Sequence, residues 1–145
     1  MNTLKFLKEN VKPATGCTEP IAVAYASSIA YNAIHKNKPP DYSKNIPKPK
    51  IEKLKKITVQ TDRDVYKNAA AIIVPNSNGQ KGIPIAAAMG IYTNPEKELN
   101  LLENLNTETL EKANKILKKN KVKVKEPIRD EKESKLEINV KIKYK

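Results

Sequence analysis

Apolar residues dominate the segment from Thr18 to about Ile34. Ile21, Ala22, Val23, Ala24, Ala26, Ile29, Ala30 and Ala33 cover most of a helical cylinder. A helix apolar on so many sides is expected to be buried. Thr18 suits its N-cap and Pro20 its first turn, where a missing N–H costs nothing. Before it, Met1 to Asn10 reads as a short helix carrying Leu4, Phe6 and Leu7, followed by a loop with Pro13 and Gly16. Further on, Ile57 to Thr61 alternates as a strand does. Ala69 to Val74 is a continuous apolar run ending at Pro75, the pattern of a buried strand. Asn76 to Gly82 is a polar turn. Ile83 to Ile91 reads as a buried helix with Pro84 in its first turn.

Two more helices are expected, one opening at Asn94-Pro95 and running to about Leu105, the other capped by Thr107 and covering Glu108 to Lys119. Lys121 to Glu126 alternates lysine and valine. Leu136, Ile138, Val140, Ile142 and Tyr144 share one parity, the mark of a half-buried strand. Together these elements predict an α/β (α+β) fold: a small mixed sheet of about four strands packed with helices and ending in a C-terminal β-hairpin. The length of 145 residues suits a single domain, 1–145. The chain ends directly after an amphipathic strand, and either the preceding helices or a downstream half is expected to cover it.

Residues 36–56 break the periodicity. Pro39, Pro40, Pro47 and Pro49 stand there among many lysines, which disfavours both helix and central strand. The stretch is expected to be an exposed connector of about twenty residues, a length usually tied to mobility or function.

Composition narrows the function classes. The formal charge is +12, nearly all of it lysine, with Arg63 and Arg129 the arginines. A nucleic-acid surface usually mixes arginine and stacking aromatics into its basic patch. Aromatics are only 5% of this chain, so lysine-rich composition explains the charge better, and nucleic acid is not the expected partner. No apolar run reaches the ~20 residues of a membrane helix, and the charged start has no signal-peptide character. A cytoplasmic chain is expected, without membrane association. The single cysteine, Cys17, excludes an internal disulfide and fits a reducing compartment.

Cys17 precedes the buried helix, where the dipole favours a thiolate, so it is a candidate metal ligand or nucleophile. His35 is the single histidine and lies about 25 Å along the same helix at 1.5 Å per residue, too far to pair with Cys17. It is expected on the surface at the helix C-terminus. Glu19 and Lys67 are the candidate catalytic groups, and Thr18, Asn68 and Ser77 the candidate substrate-binding residues. Each has a plainer reading: Thr18 as a helix cap, Lys67 as a solvated strand end, Asn68 as a turn residue.

Gly16 to Ala26, G-C-T-E-P-I-A-V-A-Y-A, resembles the signature of the L-cysteine desulfidase family, and the related iron–sulfur L-serine dehydratases carry a similar Gly-Cys-Thr segment. V-Y-K-N-A at Val65 to Ala69, K-G-I-P-I-A-A-A-M-G at Lys81 to Gly90 and N-P-E-K-E-L at Asn94 to Leu99 agree in order and spacing. The resemblance implies the N-terminal part of an iron–sulfur lyase that converts L-cysteine (alternatively L-serine) to pyruvate and ammonia, with sulfide released from cysteine. Cys17 matches one ligand of a [4Fe–4S] cluster, the other cysteines coming from a C-terminal half or second subunit. One thiolate cannot hold such a cluster, so the isolated chain is expected to carry none and to be inactive alone. The alternatives are a catalytically dead truncated homologue and a basic nucleic-acid-binding module.

Overall fold

The computed structural model describes residues 18–42, 44–129 and 136–145. Cys17 and the short helix expected at Met1 to Asn10 therefore lie outside the described residues. The described chain is a mixed α+β fold with five helices and a three-stranded sheet. Helix α1 spans Thr18–Ile34, strand β1 Leu54–Thr61, α2 Arg63–Ala71 and α3 Ile83–Gly90. A 3-10 helix covers Pro95–Asn100, then α4 Thr107–Lys118, β2 Val122–Val124 and β3 Ile138–Tyr144.

Strand β1 is the centre of the sheet, with β2 parallel on one side and β3 antiparallel on the other. Ile57 stands between Val122 and Ile142, and Val59 between Val124 and Val140. Residues directly opposite share a face, so these six make one apolar surface. Helices α1 and α3 pack over the sheet, and Ile21, Val23, Ile85, Met89 and Ile116 fill the core with them. The other face carries Thr58 between Lys123 and Lys141, and Lys56 beside Lys143. The lysines of β2 and β3 are solvent-exposed there.

Helices α1 and α3 touch at backbone distance. A Cβ built on Gly90 would lie 2.2 Å from the Ala24 carbonyl oxygen. Only glycine allows that approach, and the alanine-rich faces of both helices keep the rest of the seam equally thin.

Four sequence expectations are corrected. The apolar run Ala69 to Val74 is not a strand: α2 runs to Ala71 and only Ile72 onward is extended. Asp62 caps α2 by accepting from the Asp64 and Val65 amides, and three alanines propagate it, a residue that favours helix over strand. The last two strands form no hairpin with each other. The chain after β2 stays beside β1, with Lys125 N–H donating to the Val59 carbonyl and Ile128 N–H to the Thr61 carbonyl. β3 then takes β1's free edge, leaving three strands rather than about four. Leu136 lies outside β3 and is 79% exposed. Finally, the helix expected from Asn94 to about Leu105 is a 3-10 turn broken at Glu98, whose φ is +48°.

Among the described residues of 36–53, the regular structure is limited to a bridge between Lys38 and Asp41 flanking the cis Pro39-Pro40 bond, and Leu54 to Lys56 already belong to β1. The connector is nevertheless tied down. Tyr31 Oη donates to the Pro47 carbonyl at 2.8 Å, Lys50 N–H donates to Tyr144 Oη at 3.0 Å, and Ile46 and Ile51 pack on the core. Lys121 Nζ adds a bond of 2.6 Å to the Ile51 carbonyl.

Candidate functional site

The end of α1 is built to bury an asparagine. Lys36 adopts φ +58°, its N–H donates to the Ala33 carbonyl, and the Asn37 N–H reaches back to the Asn32 carbonyl. This is the Schellman termination, with lysine where glycine is usual. It turns Asn37 inward, leaving it 2% exposed.

A chain of side-chain bonds fixes what Asn37 presents. Asn32 Nδ2 donates to the Ser28 carbonyl at 2.8 Å, so Asn32 Oδ1 is the free acceptor. Asn37 Nδ2 donates to that oxygen at 2.6 Å. Ser28 Oγ continues the chain to the Thr93 carbonyl at 2.9 Å, and Thr93 Oγ1 donates to the Gly90 carbonyl at 2.6 Å. The orientation of both amides follows from this network. Asn37 Oδ1 is then buried with no partner.

These residues form one wall of a cavity of about 240 Å³. The connector from Tyr42 to Pro49 supplies the opposite wall, and Ile91 to Asn94 closes the end. Two further lining residues, Tyr42 and Tyr92, carry buried hydroxyl oxygens without partners. An unpaired buried polar group costs about 1–3 kcal/mol, and most are satisfied by protein, water or ligand. Three around one cavity is the feature that singles this place out.

The tyrosines are held neutral. Burial pushes the Tyr92 hydroxyl up to about 12, with smaller contributions from Tyr144 and Glu52. Tyr31 is raised by burial first, then by its contacts with Tyr144 and Tyr92, and Tyr42 by burial and then Tyr25. The phenols therefore keep their protons at neutral pH, each able to donate one hydrogen bond and accept others. Lys44 and Lys48 stand exposed among the lining residues, which include no carboxylate.

His35 is not the surface residue expected. It is half-buried, with its ring 5.1 Å from Tyr31 and 6.4 Å from Tyr144, and its Nε2 is buried without a partner. Tyr31 and Tyr144 are themselves edge-to-face at 5.5 Å. This aromatic cluster backs the cavity where the connector crosses α1.

The residues singled out from sequence lie elsewhere. Thr18 is exposed and Glu19 half-buried in the first turn of α1. Lys67 and Asn68 are exposed on α2. Ser77 is 1% exposed, and its hydroxyl lies 2.6 Å from the Val74 carbonyl and 3.0 Å from the Gln80 carbonyl, inside its own turn. None of the five lines the cavity. Sequence reasoning missed Asn32, Asn37, Tyr42 and Tyr92. One signal was available: Ser28 and Asn32, four apart, are polar residues on a helix otherwise apolar on nearly all sides. Among the described residues no group of three or more His, Cys, Asp or Glu gathers as a metal site requires, and no helix is long and apolar enough to cross a membrane.

No family model matches the chain, and no solved structure does. Curated relatives do match. The chain is 37% identical over 121 residues to a UPF0597 protein of Kosmotoga olearia, covering 83% of this chain and 25% of the relative. A UPF0597 protein of Clostridium perfringens is 38% identical over 124 residues, covering 85% and 25% respectively. That of Geobacter sulfurreducens is 35% identical over 108 residues, covering 74% and 21%. The chain thus spans about a quarter of the length of these relatives.

Their name is UPF0597 protein, not L-cysteine desulfidase, and it states no activity. This corrects the resemblance drawn from Gly16 to Ala26. The fragment-of-a-lyase reading falls with it, as do its iron–sulfur and metal-binding character and the inactive desulfidase-homologue alternative. The motif has a plainer physical source. Threonine, an acidic residue and proline are what the start of a buried helix calls for, and small apolar residues are what its thin packing calls for. The chain is similar to a segment of the UPF0597 proteins.

Proposed function

We propose that this chain binds a small polar molecule in the cavity between the end of α1, the connector and Ile91 to Asn94. The observation that carries the reading is the set of buried, unpartnered oxygens of Asn37, Tyr42 and Tyr92 on residues around one cavity. The volume falls below the ~300–1,000 Å³ of sites for drug-sized molecules, so the occupant is metabolite-sized. The hydrogen-bonded chain from Asn37 to Gly90 gives the site a rigid wall, which lowers the ordering cost of binding. We take the chain to work in the cytoplasm, where a lone thiol such as Cys17 stays reduced. The relatives are much longer than the matched region, so the proposal extends to a further segment or subunit acting on the same molecule.

The test is a thermal-shift screen of the full chain against neutral and charged metabolites, repeated with Tyr92→Phe. Compounds that raise Tm in the wild-type chain and lose most of that shift in the variant support the reading. Shifts of equal size in both proteins, or none in the wild type, refute it.

A further inference from the structure

The chemistry of the cavity wall restricts what fits it. One N–H of Asn37 Nδ2 is taken by Asn32, and Asn37 Oδ1 is an acceptor without a partner that calls for a donor from the occupant. Tyr42 and Tyr92 offer neutral hydroxyls, which pair well with other hydroxyls in either direction. Lys44 and Lys48 bring two positive charges; no lining residue is a carboxylate, and Glu108, which acts on Lys48 from outside the lining, is exposed and bonded to Lys112. Glu52, which acts on Tyr92, is exposed and outside the lining.

Resting on the small-molecule reading above, we infer that the occupant is a hydroxylated anion. Its hydroxyl groups meet Asn37, Tyr42 and Tyr92, and its carboxylate or phosphate meets Lys44 and Lys48. A plain inorganic anion satisfies the lysines but leaves Asn37 Oδ1 without a donor. A neutral polyol satisfies Asn37 but leaves the lysine charge unused. A molecule of about three to six carbons bearing both groups satisfies the whole wall, at a size consistent with a site smaller than drug pockets.

Isothermal titration of the full chain with glycerol 3-phosphate, glycerate, glycerol and inorganic phosphate tests this. The two hydroxylated anions are expected to bind at least tenfold tighter than glycerol or phosphate. The double variant Lys44→Glu/Lys48→Glu, altered at two exposed positions, is expected to lose at least tenfold of that affinity with an unchanged circular-dichroism spectrum. The preferred one of the two anions separates phosphate from carboxylate recognition. Glycerol binding as tightly as glycerol 3-phosphate, or the double variant binding like wild type, overturns the inference. So does silence of all four probes, and neutral hits from the thermal-shift screen that respond to Tyr92→Phe would then show the pocket itself standing while the anion class fails.

Discussion

Single residues carry more of this fold than their type suggests. Asp62 accepts from three backbone amides: Asp64 at 2.9 Å and Val65 at 3.0 Å at the start of α2, and Glu137 at 2.8 Å just before β3. Partial burial alone would raise its carboxyl, but the backbone donors outweigh it and the net shift is downward. A depressed folded-state pKa gives stability that is present above the unfolded value near ~3.9 and is lost as pH falls through the folded value. Asp62→Ala is therefore expected to cost about 1–2 kcal/mol at pH 7, the range for removing a helix cap. Urea unfolding of both proteins at pH 7 and pH 3 measures it, and the gap should narrow at the lower pH. A gap of the same size at both would contradict the role given to the ionised carboxylate.

Residue-level reading had mixed success for physical reasons. Threonine and proline near helix starts are local signals, and they marked the beginnings of α1 and α3 in the sequence. The Schellman turn at Lys36 was invisible because the position is usually glycine. The inward turn of Asn37 follows from it, so the cavity's central acceptor was invisible too. Ser77 looked like a ligand-facing hydroxyl in a polar turn, but the turn itself consumes it. Local hydrogen bonding of this kind competes with any external use of serine.

At the level of elements, the decisive contact is the crossing of α1 and α3. The space a Gly90 side chain would need is held by Ala24 backbone atoms, none of which can swing aside. Gly90→Ala is expected to destabilise by about 3 kcal/mol or more, at the upper end of overpacking costs. Thermal melts report the loss, and a melt unchanged from wild type would show that the helices can separate without penalty. The same seam fixes Ser28 and Thr93, so it also positions the cavity wall. Sequence pattern identified both helices as buried because each is apolar on nearly every side. It misread Ala69 to Val74, where a six-residue apolar run cannot by itself tell a helix end from a strand. The cap at Asp62 decided it.

Strand pairing lies at the scale of the whole molecule, and it was the least legible feature. The parity of Ile138, Val140, Ile142 and Tyr144 exposed the apolar face, but parity is silent on which neighbour that face adopts. β1 has two edges, and its hydrogen bonds to Lys125 and Ile128 occupy one of them beyond β2. β3 was left with the other. Of the lysines behind the +12 charge, Lys56, Lys123, Lys141 and Lys143 stand on the open sheet face, opposite the packed helices, and others lie along the connector and α4. The apolar parity of the strands and these four lysines are thus two sides of one sheet. The connector, which sequence marked only as long and polar, is held by Tyr31 and Tyr144 and becomes the second wall of the cavity.

The central claim is that Asn37 waits for a donor from a bound molecule. Its side-chain amide resonances in a nitrogen-15 spectrum of the full chain report this directly during titration with glycerol 3-phosphate. Saturable shifts of the Asn37 amide, accompanied by Asn32 and absent from exposed Asn68, are the predicted result. An Asn37 amide that stays fixed while resonances on the open lysine face move would contradict the account, because the anion would then be meeting surface charge and not the cavity.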